Sequence, residues 1–259
     1  MNRIDQLFQQ VKEPVLNIYF TAGFPQLNDT RRVLKAIQEG GAHIVEIGMP
    51  YSDPIADGET IQQSNQKALE NGMSLQTLFD QLKGMRSEIS VPVILMGYLN
   101  PVVQMGVENF CQKCQEVGVD GLILPDLPVE EYHEEYKPIF DRYGLINIFL
   151  ITPQTSEARI RRIDSISSGF IYMVSSASVT GSTSGITPEM ESYFNRVNQM
   201  NLTNPRLIGF GIKDQDTFHQ ASKHASGAII GSQFIRVLEQ AQNQDLESDV
   251  IRYIQSVLG

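Results

Sequence analysis

Cysteine, long apolar runs and clusters of positive charge are all scarce in this chain of 259 residues. Its 20 Lys and Arg are outnumbered by 30 Asp and Glu, which gives a formal net charge of -10. A broad nucleic-acid or anionic-membrane surface is therefore disfavoured, because both need clustered basic side chains. No apolar run approaches the roughly 18 residues of a membrane span, and residues 1–12 are polar, unlike a signal peptide. We expect a cytoplasmic protein that binds neither nucleic acid nor membranes.

The two cysteines, Cys111 and Cys114, have the spacing of half a redox or zinc motif. They also share one predicted helical face with Val107, Phe110 and Val117, where a reduced cysteine behaves as a small apolar side chain. The sequence has no second cysteine pair, and its four histidines are scattered, so nothing completes a four-ligand metal site. We predict that both cysteines pack in the core, and we predict no metal site.

Hydrophobic residues make up 41% of the chain and charged residues 19%, enough apolar material for a sizeable core. The length allows two small domains, but the composition favours a single domain over residues 1–259. Short apolar runs alternate with amphipathic segments, the pattern of repeated βα units around a parallel sheet. The predicted strands are Val15 to Ala22, His43 to Gly48, Pro92 to Tyr98, Gly121 to Pro125, Ile146 to Thr152, Phe170 to Ser175, Arg206 to Gly211 and Gly227 to Gly231. Eight such repeats in about 250 residues favour an α/β fold of the (β/α)8 TIM-barrel type over an open doubly wound sheet.

An additional helix is predicted before the first strand, where Ile4, Leu7, Phe8 and Val11 recur at helical spacing. We expect it to cover the bottom of the barrel. Gly and Pro collect after the carboxyl ends of the strands, where a barrel of this type carries its active site. The loop 175–187 is uncharged and rich in Ser, Thr and Gly, a composition that suits a mobile lid.

Two acids stand out, Glu46 inside an apolar strand and Asp57 in the loop that follows. An unpaired buried carboxylate is costly, and no Lys or Arg lies between Lys35 and Lys67 to pair with it locally. We expect a raised pKa for Glu46 and a better solvated, ionised Asp57, a division that suits general acid–base catalysis. The alternatives are an ion pair of Glu46 with a remote cation and a helix N-cap role for Asp57.

Glycines end the seventh and eighth predicted strands, in Gly209-Phe210-Gly211 and Gly231-Ser232. Backbone N–H groups at such strand-to-helix turns can bind a phosphate without basic side chains. The alternative is that these glycines only permit tight turns. Tyr172, on the sixth strand, has two interpretations, core packing and a hydroxyl presented to the site.

Several segments together resemble the alpha subunits of tryptophan synthase. They are Tyr19-Phe20-Thr21-Ala22-Gly23-Phe24-Pro25, Glu46-Ile47-Gly48-Met49-Pro50-Tyr51-Ser52-Asp53-Pro54-Ile55-Ala56-Asp57-Gly58, Gly118-Val119-Asp120-Gly121 with Pro125-Asp126-Leu127-Pro128, and Gly209-Phe210-Gly211-Ile212. They follow the family's order over nearly the whole chain. The resemblance implies a lyase that cleaves indole-3-glycerol phosphate by a reverse aldol into indole and glyceraldehyde 3-phosphate, with no cofactor of its own.

The resemblance also implies roles for individual residues. The acid matching Asp57 holds the indole N–H, and the acid matching Glu46 moves protons between indole C3 and the glycerol hydroxyl. The phosphate is expected on Gly211, Gly231 and Ser232. The implied substrate-binding residues are Phe20 and Leu99 on the indole side, Tyr172, Thr180, Gly181, Gly209, Phe210, Gly211, Gly231 and Ser232.

The family works as an α2β2 complex, in which indole passes to a beta subunit that holds pyridoxal phosphate. In the resemblance, Asp53 and the loop around Thr180 link closure to this partner. The chain has Ser178 where many relatives have Gly, and it lacks an Arg found shortly after, so lid closure is expected to differ in detail. Two alternatives are a non-catalytic barrel that activates a beta subunit and another phosphate-binding barrel enzyme, which would need a metal cluster or a Schiff-base Lys at a strand end.

Overall fold

The computed structural model describes residues 1–174, 186–209, 211–241 and 245–259. Within these ranges all β-strands are parallel and belong to one sheet, in the order β5-β4-β3-β2-β1-β9-β8-β7-β6. The strands are β1 (Val15–Thr21), β2 (Ile44–Gly48), β3 (Val93–Met96), β4 (Gly121–Ile123), β5 (Ile146–Asn147), β6 (Leu150–Ile151), β7 (Ile171–Val174), β8 (Arg206–Gly209) and β9 (Gly227–Ile230). Each predicted strand is present at its expected place.

The strands β5 and β6 are two halves of the fifth predicted strand, interrupted at Ile148 and Phe149. The Ile148 N–H donates to the carbonyl of Leu122 on β4 at 2.9 Å. On the other side, the Tyr172 N–H of β7 donates to the carbonyl of Phe149 at 2.9 Å. Backbone hydrogen bonds therefore continue across the break and close the sheet into a barrel. The predicted TIM-barrel fold is confirmed, with one split strand that the sequence did not indicate.

Helices surround the sheet and follow most of its strands. They are α1 (Arg3–Gln10), α2 (Thr30–Gly40), α3 (Glu59–Glu70), α4 (Leu75–Leu82), α5 (Leu99–Met105), α6 (Val107–Val117), α7 (Val129–Glu131), α8 (Lys137–Arg142), α9 (Glu157–Ile166), α10 (Pro188–Gln199), α11 (Gln215–Ser222), α12 (Ser232–Gln240) and α13 (Leu246–Leu258). Short 3-10 turns occupy Leu27–Asp29 and Met85–Ser87, and a π-helical segment, Tyr132–Tyr136, joins α7 to α8. None of the helices in the described ranges is long and apolar enough to cross a membrane.

The helix α1 closes the bottom of the barrel, as predicted. It begins where the Asn2 side chain accepts a hydrogen bond from the Ile4 N–H, which satisfies one of the free donors of the first turn. Ile4 is fully buried among side chains from the barrel interior. A Cβ atom at Gly121, the first residue of β4, would lie 3.1 Å from Ile4 Cδ1, so this glycine gives the plugging side chain room. Phe8 packs on Phe170 with ring centroids 5.9 Å apart.

The apolar side chains form two layers, one inside the barrel and one between the sheet and the outer helices. Cys111 and Cys114 belong to the outer layer, together with Phe110 and Val117 of the same helix, α6. Both cysteines are free and fully buried. Burial raises the pKa of the Cys111 thiol to about 12 and that of Cys114 well above its ordinary value. The predicted core role of the pair is confirmed, and both thiols are unreactive at neutral pH.

Candidate active site

Glu46 is a fully buried acid on β2 that makes no ion pair with any of the described residues. Side chains alternate along a strand, so Glu46 shares the inner face with Ile44 of the barrel interior. The Asn17 amide donates to Glu46 Oε1, while Glu46 Oε2 has no hydrogen-bond partner among the described residues. Burial raises the pKa of Glu46 to about 8, and the Asn17 hydrogen bond only partly opposes this. No salt bridge reaches Glu46 in the part of the chain described, so the ion-pair alternative finds no support.

Asp57 lies in the loop that joins β2 to α3, and it is half-buried. The Tyr98 hydroxyl donates to Asp57 Oδ2 at 3.2 Å and accepts from the Ala56 N–H at 2.9 Å. Tyr51 stacks on Tyr98 with ring centroids 5.2 Å apart, which fixes the start of the same loop. Burial raises the pKa of Asp57 to about 6, against the lowering effect of the Tyr98 hydrogen bond.

The capping alternative for Asp57 is wrong. The N-cap position of α3 is held by Gly58, and no side chain makes a capping hydrogen bond there. The carboxylate of Asp57 is instead directed to Tyr98, whose contribution the sequence did not predict. The signal was available, because Tyr98 ends the third predicted strand at the same edge of the barrel.

Both acids act on the hydroxyl of Tyr172, a buried residue of β7 in the barrel interior. Burial, followed by the nearby Glu46 and Asp57, raises the pKa of Tyr172 well above its ordinary value. A Cβ atom at Gly209, the last residue of β8, would collide with this hydroxyl, so the glycine gives Tyr172 room to cross the interior. Tyr172 is therefore a neutral hydroxyl that lies within electrostatic range of both carboxyl groups.

The turns after β8 and β9 lie at the same end of the barrel as Asp57, because all strands are parallel. Gly211 has φ +78°, in the left-handed region that favours glycine. Gly231 occupies the N-cap position of α12, and Ser232 is the first residue of that helix. Among the described residues no side chain caps this helix, so its first N–H groups are available to an anion.

Comparison with known proteins places this arrangement in a family. The model of the family described as tryptophan synthase alpha chain matches residues 6–257. The chain belongs to this family. The tryptophan synthase alpha chain of Christiangramia forsetii is 56% identical over 257 residues, which cover 99% of this chain and 98% of that protein. That of Flavobacterium johnsoniae is 56% identical over 250 residues, with 96% and 98% covered.

Solved structures of the tryptophan synthase alpha chain family have the same fold. The alpha chain of Legionella pneumophila superposes with a TM-score of 0.89 at 31% identity, covering 99% of this chain and 96% of that one. A chain of the tryptophan synthase complex of Pyrococcus furiosus superposes with a TM-score of 0.86 at 32% identity, with 96% and 99% covered.

The structure places Phe20, one of the indole-side residues that the family resemblance implied, on the face of β1 opposite to Asn17 and its Glu46 contact. Phe20 is fully buried, as are Leu16 and Ile18 on the same face of β1. Asn17 and Tyr19 alternate with these residues and lie on the opposite face of β1. That face points into the barrel, because Asn17 contacts Glu46 there. Tyr19, not Phe20, therefore faces the acids. Both faces of β1 are buried, so the sequence pattern alone could not tell which one points inward.

The structure describes only some of the remaining site residues that the resemblance to tryptophan synthase alpha chains predicts. Leu99 begins α5 and is partly buried against the outer layer, and its N–H donates to the Asp126 carboxylate at 2.9 and 3.1 Å. Thr180, Gly181 and Phe210 lie outside the described residues, as do residues 175–185 of the predicted lid, 175–187. The described residues contain no cluster of three or more His, Cys, Asp or Glu suited to a metal ion.

Proposed function

We propose that the chain is a lyase that cleaves indole-3-glycerol phosphate into indole and glyceraldehyde 3-phosphate, as the alpha subunit of a tryptophan synthase. The observation that carries this proposal is the pair of carboxyl groups with different pKa values beside one shared tyrosine, Tyr172. Membership of the tryptophan synthase alpha chain family supports the choice of substrate.

The acids Glu46 and Asp57 begin the proposed reaction in opposite protonation states. With pKa values of about 8 and about 6, Glu46 is mostly protonated and Asp57 mostly ionised at neutral pH. Glu46 donates its proton to C3 of the indole ring, and the Asp57 carboxylate accepts a hydrogen bond from the ring N–H as positive charge develops there. The ring is then ready to leave.

The bond between indole C3 and the adjacent glycerol carbon breaks in the next step. Its electron pair returns to the ring and neutralises the nitrogen. The hydroxyl on that carbon becomes the aldehyde carbonyl and gives its proton to the Glu46 carboxylate. Glu46 thus ends protonated and Asp57 ends ionised, so protons and electrons balance without an added cofactor. The chain is therefore proposed to need no cofactor of its own.

The phosphate is proposed to bind at the N-terminus of α12 and the turn after β8, through Gly211, Gly231 and Ser232. The helix dipole and free N–H groups favour an anion there, so a chain with net charge -10 can hold a phosphate ester without a cluster of Lys or Arg. Gly209, Phe210, Thr180 and Gly181 complete the proposed substrate site.

We further propose that the chain works with a beta subunit in an α2β2 complex and that pyridoxal phosphate belongs to that partner. Support comes from the structural relative described as a tryptophan synthase complex. The loop that carries Asp53 and Asp57 is the proposed link between the active site and the partner. A cytoplasmic location and a single domain over residues 1–259 remain part of this proposal.

Indole release from indole-3-glycerol phosphate by the purified chain tests the proposal. We expect slow release by the chain alone and faster release with a beta subunit. Asp57→Asn should lower the rate by about 100-fold or more, because it removes a charge that the reaction needs. Asp80→Asn is the matched control, since Asp80 is a surface residue of α4 paired with Lys83 at 2.6 Å. Absence of release in both conditions would contradict the lyase, and stimulation of a beta subunit without release would identify a non-catalytic partner.

A further inference from the structure

Tyr19 spans the space between the proposed phosphate site and the two acids. Its position on β1 is the register partner of Glu46 on β2. At one end, a Cβ atom at Gly231 would sit 3.6–3.8 Å from the Tyr19 side chain, which is ordinary van der Waals contact. At the other end, the Tyr19 hydroxyl occupies the place that a Cβ atom at Gly48 would need. Tyr19 is only 6% exposed, so nearly all of its side chain is buried in the barrel.

A chain of hydroxyl groups fixes the direction of the Tyr19 proton. Ser64 on α3 donates its only hydroxyl hydrogen to the Ile61 carbonyl at 2.8 Å. Its oxygen therefore accepts from Thr21, whose Oγ1 lies 2.6 Å away. With its own hydrogen used, Thr21 can only accept from the Tyr19 hydroxyl, at the longer distance of 3.4 Å.

The consequence is an acceptor that faces the barrel interior. The Tyr19 proton points to Thr21, and none of the described residues donates to the Tyr19 oxygen. A phenolic oxygen has lone pairs for a further donor. The nearly buried Tyr19 oxygen can therefore accept a hydrogen bond from a hydroxyl group of a bound ligand, since none of the described residues supplies that donor.

We propose that Tyr19 is a substrate-binding residue that accepts a hydrogen bond from the middle hydroxyl of the glycerol chain. This inference rests on the proposed function. In that reaction the phosphate lies at Gly231 and the hydroxyl next to the indole ring delivers its proton to Glu46. The middle carbon lies between these two points, which is the interval that Tyr19 covers.

Proton transfer by Tyr19 itself is a poor alternative. Burial, together with the nearby Asp57 and Glu46, raises the pKa of Tyr19 well above its ordinary value. Its hydroxyl therefore stays neutral at the pH values where the two carboxyl groups titrate. Tyr19 is expected to orient the substrate rather than to exchange protons with it.

Two ligands that cannot be cleaved isolate this contact. Indole-3-propanol phosphate has no chain hydroxyl, and its 2-hydroxy derivative has only the middle one; neither has the hydroxyl beside the ring that the reverse aldol requires. We would measure the affinity of both for the full chain by titration calorimetry. Tyr19→Phe should reduce the preference for the hydroxylated ligand about fivefold, the factor of one neutral hydrogen bond. Its affinity for the ligand without the hydroxyl should stay unchanged, which also shows that the variant is folded.

Tyr143→Phe is the control, because it removes a tyrosine hydroxyl that bonds Glu108 on the surface, at 3.3 Å. It should leave the preference unchanged. If Tyr19→Phe weakens both ligands equally, or weakens neither, the proposed contact is wrong, while indole release by the unsubstituted chain would still uphold the lyase. If the unsubstituted chain binds neither ligand and releases no indole, the lyase itself is wrong, and the Tyr19 contact fails with it.

Discussion

Glu46 and Asp57 carry the same functional group but are placed in different surroundings. Glu46 is fully buried, with one amide donor and a second oxygen that has no hydrogen-bond partner in the described part of the chain. Asp57 is half-buried and accepts a hydrogen bond from Tyr98. Desolvation is the largest cause of the raised pKa at both acids, and it acts more strongly on Glu46. The difference in burial is thus the main reason why one acid is protonated and the other ionised near neutral pH.

The pH dependence of indole release follows from these values. Activity needs ionised Asp57 and protonated Glu46, so kcat/KM should rise as the pH passes about 6 and fall as it passes about 8. Measurement of kcat/KM between pH 5 and pH 9.5, outside which these groups hardly titrate, checks this. A profile that keeps rising through the upper part of this range would contradict a protonated Glu46 in the starting state.

Glu46→Gln should change the way in which the stability of the fold depends on pH. The folded state holds the Glu46 proton more tightly than the unfolded chain, in which the pKa is near its ordinary 4.5. The carboxyl therefore favours folding below the unfolded pKa, and this contribution is lost as pH rises toward about 8. Glutamine cannot ionise, so the Gln variant does not lose stability in this way. Its free energy of unfolding, relative to that of the unsubstituted chain, should therefore increase by a few kcal/mol between pH 4.5 and about 8, because each unit of pKa shift corresponds to about 1.4 kcal/mol. Urea unfolding at several pH values measures it; a constant difference would mean that Glu46 has an ordinary pKa.

The sequence predicted the acid pair and Tyr172 but not the other residues that surround them. Glu46 was recognisable because a carboxylate in an apolar strand without a nearby cation is unusual. Tyr19 was not distinguishable from Phe20, because every position of β1 is buried and both aromatic residues fit either face. Asn17 decides between them, and its contact with Glu46 depends on the register of two strands that are distant in sequence.

At the scale of elements, the strands were predictable because their apolar runs are short and separated by turns. The break at Ile148 and Phe149 was not, since the whole run Ile146 to Thr152 is apolar enough for one continuous strand. Barrel closure imposes the break: one half of the segment pairs with β4 and the other half with β7. The π-helical turn Tyr132–Tyr136 likewise has no signal in the residue pattern.

The helix α6 offers a test of the core assignment of its cysteines. Cys111→Ala removes a fully buried sulfur from the outer layer and should cost about 1 kcal/mol in the free energy of unfolding. Indole release should be unchanged, because α6 does not contribute to the proposed site. Loss of activity with unchanged stability would show that the core and site assignments are reversed.

The helix α1 should matter to stability alone. Ile4→Ala empties the buried position at the bottom of the barrel and should cost about 2–5 kcal/mol. The KM for indole-3-glycerol phosphate should not change, because the acids lie at the other end of the strands. Thermal unfolding and steady-state kinetics of the same preparation measure both, with Leu258→Ala, a partly buried residue near the chain end, as a milder comparison.

For the whole molecule, the two ends of the barrel have different tasks. The bottom is closed by α1 and by the carboxylate of Asp120, which binds Arg3 at 2.9 Å and also Arg86. The opposite end carries the acids and the loop through Asp57. Ile55 in that loop is 89% exposed, so a partner bound to this loop, as proposed above, would cover it.

We expect Ile55→Ser to weaken the stimulation of indole release by a beta subunit. The isolated chain should keep its activity, because Ile55 points to solvent. Val103→Ser is the matched control, since Val103 is a half-exposed apolar residue of α5 outside this loop. Titration of the beta subunit against each variant gives the half-saturating concentration; equal values for both variants would place the partner elsewhere.

The seating of α1 also has a consequence for synthesis on the ribosome. This helix precedes every strand in the chain and so is synthesised before them, but Phe8 packs on Phe170, and Ile4 fits beside Gly169. The surface on which α1 docks is therefore incomplete until residue 170 has left the exit tunnel. Until then the apolar face of α1 is either exposed or bound by a chaperone. Arrested nascent chains ending before and after this point should differ in protease protection of their first ten residues.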